Sequence, residues 1–124
     1  MPVLPASRAT VHDMHGSRFT AYAAPATGSR ELCAWRVEVP AGTAGAAHRV
    51  TREEVLVLLT GGLRVTLDEL ATDLAVGDAV LVPAGSSLRL DNEGEGPAEA
   101  WVTTSVGLQA VMADGTWLSP PWVR

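Results

Sequence analysis

Two stretches of the chain carry residue types that can do chemistry at defined spacing. In PAGTAGAAHRVTREEVLVLLTGG, Gly42 is followed by His48, Val50, Glu54 and Gly61; in GDAVLVPAGSSLRLDN, Gly77 is followed by Pro83, Gly85, Leu88 and Asn92. An imidazole and a carboxylate can give lone pairs to a metal, or act as base and acid in a proton transfer. The hydrocarbon side chains of Val50 and Leu88 can do neither. The other histidines are His12 and His15, and Cys33 is the single cysteine. Lying between Leu32 and Ala34 in an apolar segment, Cys33 reads as a buried, inert thiol rather than a nucleophile.

These residues must be positioned by strands, because the apolar pattern has a period of two and no segment repeats at helical spacing. Leu32 to Val39 places Trp35, Val37 and Val39 on one face and Arg36 and Glu38 on the other. Leu63, Val65 and Leu67 alternate with Arg64, Thr66 and Asp68 in the same way. Turn signals at Asp68-Glu69 and Gly77-Asp78 frame further strands at Ala79 to Val82, Leu88 to Asn92 and Glu99 to Val106. The fold class expected is all-β, with about eight strands in series. Only residues 1 to about 10 read as loose. Val55 to Leu59 is apolar on both faces, so its outer side needs a cover: a chain terminus, or a symmetric partner in a homodimer.

The first stretch resembles the first cupin motif, G-x5-H-x-H-x3-E-x6-G, with Val50 in the second histidine's place. The second resembles G-x5-P-x-G-x2-H-x3-N, with Leu88 where the histidine belongs. This resemblance to the cupin superfamily covers about residues 30 to 106. It implies a double-stranded β-helix, or jelly-roll barrel, within a single domain 1–124 that has an N-terminal arm 1–29 and a C-terminal segment 107–124. Gly42, Gly61, Gly77 and Gly85 are then turn residues, expected where a Cβ would clash.

In a cupin the motif face points into the barrel. The two-residue period then puts His48 and Val50 in the interior, together with Leu88, Leu90 and Asn92, while Glu54 joins them by the resemblance alone. Trp35 and Trp101 are expected to add further lining. Asn92 also suits a structural role, tying neighbouring backbone through its amide. The family's metal slots would retain only His48 and Glu54. A divalent transition metal (Fe, Mn, Ni or Zn) would need a further donor from His12 or His15, of which the three-residue spacing lets at most one reach the barrel. Without metal, His48 and Glu54 would form a polar pair, hydrogen-bonded to each other or to water.

The preferred functional expectation is a stand-alone cupin that binds a small, mostly apolar ligand in its barrel through His48, Glu54, Asn92, Val50, Leu88, Trp35 and Trp101. No cofactor is required and no residue is assigned as catalytic. The alternative is a metal-dependent enzyme of the non-haem dioxygenase or isomerase type, since the architecture alone does not choose between binding and catalysis. The C-terminal run from Thr116 carries Trp117 and Trp122 on a proline-stiffened tail, expected to cap one barrel end or meet a partner, with a pocket lid as the alternative.

Composition narrows the partners. The net charge is -5, lysine is absent, and the nine cations are all arginine with no basic cluster, which argues against a nucleic-acid partner. The longest apolar run, Val55 to Leu59, is far too short for a membrane span, and MPVLPASRAT contains no signal-peptide core. A cytoplasmic location is expected.

Overall fold

Alternating burial organises the chain into strands that each give one face to a shared interior. A computed structural model describes residues 2–124. Twelve strands follow in order: β1 (Thr10–Met14), β2 (Ser17–Ala23), β3 (Leu32–Val39), β4 (His48–Val50), β5 (Glu54–Thr60), β6 (Leu63–Leu67), β7 (Leu70–Leu74), β8 (Ala79–Val82), β9 (Ser87–Asp91), β10 (Ala98–Ser105), β11 (Ala110–Met112) and β12 (Trp117–Leu118). They form two six-stranded antiparallel sheets, ordered β1-β2-β3-β10-β5-β8 and β12-β11-β4-β9-β6-β7. This is the all-β, jelly-roll arrangement implied by the two motifs.

The core lies between the sheets. Cys33, Trp35, Val37 and Val39 point inward from β3, and Ala98, Ala100 and Val102 from β10. Val50, Val65 and Leu88 face them from the second sheet. Cys33 is fully buried, with its Sγ 3.7 Å from the carbonyl oxygen of Val123, and burial pushes the thiol's pKa up.

Within the N-terminal arm 1–29, β1 and β2 form a hairpin that extends the first sheet beside β3. The connecting residues, His15 and Gly16, both have positive φ, as a tight primed turn demands, with His-Gly in place of the Asn-Gly that usually signals such a turn. The first motif spans β4 and β5 and the second spans β8 and β9, so each contributes to both sheets, with His48 opposite Leu88 and Glu54 opposite Val82. The expected clash at the turn glycines needs correction: at Gly42, Gly77 and Gly85 an added Cβ would meet nothing within 4 Å, so positive φ selects glycine there rather than crowding. Only Gly61 of the four needs both.

The outer face of β5 stays uncovered by either chain terminus. Val55 and Leu59 are each 40% exposed, and Leu81, directly opposite Val55 on the edge strand β8, is 56% exposed.

Candidate functional site

Because the two motifs are split between the sheets, their inward residues face one another across the interior and border a cavity of about 110 Å³. The first sheet supplies Trp35 and Val37 from β3, Glu54 and Leu56 from β5, and Val102 from β10. Opposite stand His48 and Val50 from β4 and Leu88 and Leu90 from β9. The alternation that buries each strand therefore also selects the lining. His48, Val50, Leu88 and Leu90 share the interior as their spacing predicted, and Glu54 joins them.

Two sequence-derived candidates lie elsewhere. Asn92 is buried but does not border the cavity. Its amide donates to the carbonyls of Val39 and Gly96, each at 2.9 Å, while its Oδ1 accepts from the Gly94 amide at 3.0 Å. With both amide hydrogens and the oxygen engaged by backbone, Asn92 holds the 92–97 loop to the end of β3. Trp101 falls on the outward-facing half of β10, where it meets Tyr22 with ring centroids 5.3 Å apart. The inward positions of that strand are Ala98, Ala100, Val102 and Thr104.

The sequence missed much of the remaining wall. Phe19 comes from the unpredicted hairpin, and Ala110, Met112, Pro120 and Trp122 come from the C-terminal segment. Trp122 is 6% exposed, stacks on Phe19 with centroids 3.7 Å apart and planes within 4°, and meets Trp35 at 6.4 Å. The tail thus closes one end of the sandwich and forms part of the cavity wall, whereas Trp117 is largely exposed. Its two tryptophans differ in environment because Leu118 takes the inward position of β12 and leaves Trp117 outside, while Trp122 lies in the helical turn Pro121–Val123 that packs inward.

Polar groups are few inside this apolar lining. Glu54 is 5% exposed, borders the cavity, and among the described residues its carboxyl has no hydrogen bond or ion pair. Burial pushes its pKa up to about 7. The expected pair with His48 is not joined by a hydrogen bond. The imidazole Nδ1 lies 2.9 Å from the Ala46 carbonyl oxygen. A carbonyl can only accept, so Nδ1 carries the hydrogen and the neutral ring keeps its lone pair on Nε2. His15, held at the hairpin turn, borders the cavity, while His12 does not and lies beside Trp122 at 6.4 Å.

The donor set does not fit a transition-metal centre. Among the described residues, no three or more His, Cys, Asp or Glu side chains are grouped closely enough to hold an ion. His15 reaches the same cavity without completing such a group with His48 and Glu54. Sites of this kind commonly use at least three protein donors, and the facing positions here are the hydrocarbons of Val50 and Leu88.

The fold and the motif geometry together define a cupin. The family described as Cupin domain matches residues 35–105, and the chain belongs to it. Among solved structures, it is similar to the polyketide cyclase RemF from Streptomyces resistomycificus, with 12% identity, 85% of this chain and 79% of the other covered, and a TM-score of 0.74. A sugar phosphate isomerase of the cupin superfamily from Silicibacter pomeroyi gives 18%, 91%, 82% and 0.72 for the same quantities. An RmlC-like cupin from Shewanella frigidimarina gives 19%, 80%, 85% and 0.69. At these identities the likeness concerns the fold. The chain is also 29% identical over 87 residues to the endoribonuclease YbeY of Myxococcus xanthus, a match that covers 69% of this chain and spans only 30% of that protein.

Proposed function

We propose that this cupin binds a small, mostly apolar molecule in the cavity between its sheets, with His48 and Glu54 orienting it and Trp35, Val50 and Leu88 supplying contact area. The observation that carries this reading is the cavity itself: about 110 Å³ bordered mainly by hydrocarbon and aromatic side chains, with a few polar groups among them. Small-molecule sites have this composition, and the space is smaller than the roughly 150 Å³ apolar cavity that admits a benzene ring, which limits an enclosed ligand to a few heavy atoms. Asn92 and Trp101 support the site from outside it, one through the backbone and the other through the outer face of the sheet.

Protein taken directly from cells and extracted for mass spectrometry tests the reading. A stoichiometric small molecule is expected from the native chain and not from Leu88→Trp, which fills the cavity. Equal recovery from both would reject the assignment.

The alternative, a metal-dependent enzyme of the dioxygenase or isomerase type, draws support from His48, whose orientation by a backbone carbonyl leaves Nε2 free as in many ligating histidines. Elemental analysis separates the two. Near-stoichiometric iron, nickel, manganese or zinc that disappears in His48→Ala would favour the enzyme.

The working unit in this proposal is a cytoplasmic homodimer. The exposed apolar stripe of Val55, Leu59 and Leu81 supports the dimer, and the absence of any basic cluster in the sequence speaks against a nucleic-acid partner. No helix among the described residues is long and apolar enough to cross a membrane.

A further inference from the structure

The polar groups that border the cavity are unevenly matched. Glu54 presents a carboxyl with no protein partner among the described residues. His48 has spent its Nδ1–H on Ala46, which leaves Nε2 as an acceptor in the neutral ring. No arginine borders the cavity, although arginine provides all nine of the chain's lysine-or-arginine cations. The remaining polar side chains are the Ser17 hydroxyl and His15 at the hairpin turn. Three aromatic rings complete the picture: Phe19, Trp35 and Trp122 all border the same space and pack as one cluster.

A ligand that satisfies Glu54 and His48 Nε2 must bring hydrogen-bond donors, while the Ser17 hydroxyl and the indole N–H groups of Trp35 and Trp122 can meet an acceptor. The ligand gains most if it also brings positive charge, which a buried carboxylate lacks and aromatic faces attract. A neutral alcohol could use the acceptors but would leave the carboxylate's charge uncompensated. An anion would face Glu54 with no fixed cation to offset the repulsion.

We propose that the cavity selects a small organic ammonium ion, whose N–H groups are given to Glu54 and to His48 Nε2 and whose hydrocarbon body, a few carbons in size, lies against Phe19, Trp35 and Trp122. This inference rests on the cavity being a small-molecule site and adds the charge of what enters it. It also gives Glu54 a reason to stay buried without a protein partner, since the partner arrives with the ligand.

Isobutylamine, isobutanol and isobutyrate share one carbon skeleton and differ in charge, so the unmodified protein can be tested with all three by calorimetry at about pH 8, where the amine remains a cation. A change in tryptophan fluorescence gives a second readout. Isobutylammonium is expected to bind about tenfold or more tighter than isobutanol, the size of one charge-assisted hydrogen bond, with isobutyrate weakest. In Glu54→Gln the amine's advantage should fall to within about threefold of the alcohol.

Equal binding of amine and alcohol would overturn the charge selection while leaving the apolar cavity as a ligand site. Failure of all three probes to bind would remove both readings. Preferential binding of isobutyrate that required added divalent metal would also overturn the proposal, since the positive charge would then come from the metal. The comparison within the unmodified protein decides the matter even if the Gln variant does not fold.

Discussion

Burial of Glu54 makes its ionisation work against the fold. Below its ordinary pKa of 4.5 the carboxyl is protonated in folded and unfolded chains alike and adds no pH-dependent penalty. As the pH rises from there towards about 7 the unfolded chain gives up the proton while the folded chain retains it, so stability declines. The decline levels off above the folded pKa at roughly 3 kcal/mol. Glu54→Leu should flatten this profile between about pH 5 and pH 8 and exceed the native chain's stability by about 2 kcal/mol at the upper end, as urea unfolding at the two pH values would show. Unchanged pH dependence would mean that the carboxyl finds a partner in solution. A buried group that weakens the fold and has no protein partner is the pattern expected of a site kept for binding.

At the scale of single elements, Gly61 is the most exacting of the four turn glycines. It combines φ of +78° with a Cβ position 2.4 Å from the Pro97 carbonyl oxygen and 2.8 Å from the Ala98 Cα. Neighbouring Gly62 has neither constraint. Gly61→Ala is expected to lose about 2 kcal/mol or more, while Gly62→Ala stays within about 0.5 kcal/mol, both read from urea midpoints. Equal effects would show that the β5–β6 turn can relax. Much of the element map was legible because alternation and turn chemistry agree in it: β3 and β8 match their predicted ranges, and β9 and β10 differ by one residue at each end. The short strands β11 and β12 offer too few residues for a period to show, and the first hairpin turns on His-Gly rather than Asn-Gly. The candidate site was legible in the same proportion. His48, Val50 and Leu88 followed from strand parity, whereas the Phe19–Trp122 wall depends on two segments far apart in sequence that no local pattern links. Asn92 shows the opposite limit, since parity places it with the inward set but cannot reveal that backbone carbonyls consume its amide.

For the molecule as a whole, the outer face of β5 and β8 is the feature that most needs a partner. Val55, Leu59 and Leu81 lie on one side, and β8 leaves a sheet edge unpaired, a combination that exposes a protein to association. If this face forms the proposed homodimer, Leu81→Glu should convert a species of twice the chain mass into one of single mass in light scattering, with little effect on folding because the side chain is already more than half exposed. A native chain that is monomeric at micromolar concentration would eliminate the dimer. The cavity lies on the other side of the same sheet, so the two surfaces can be altered independently. Its wall has a different dependence: Phe19 and Trp122 stack across almost the whole length of the chain. A chain cut short before residue 122 therefore has no complete pocket. Ligand capture should then distinguish chains in which Trp122 has docked on Phe19 from those in which it has not, so that occupancy reports the closing of one long-range contact.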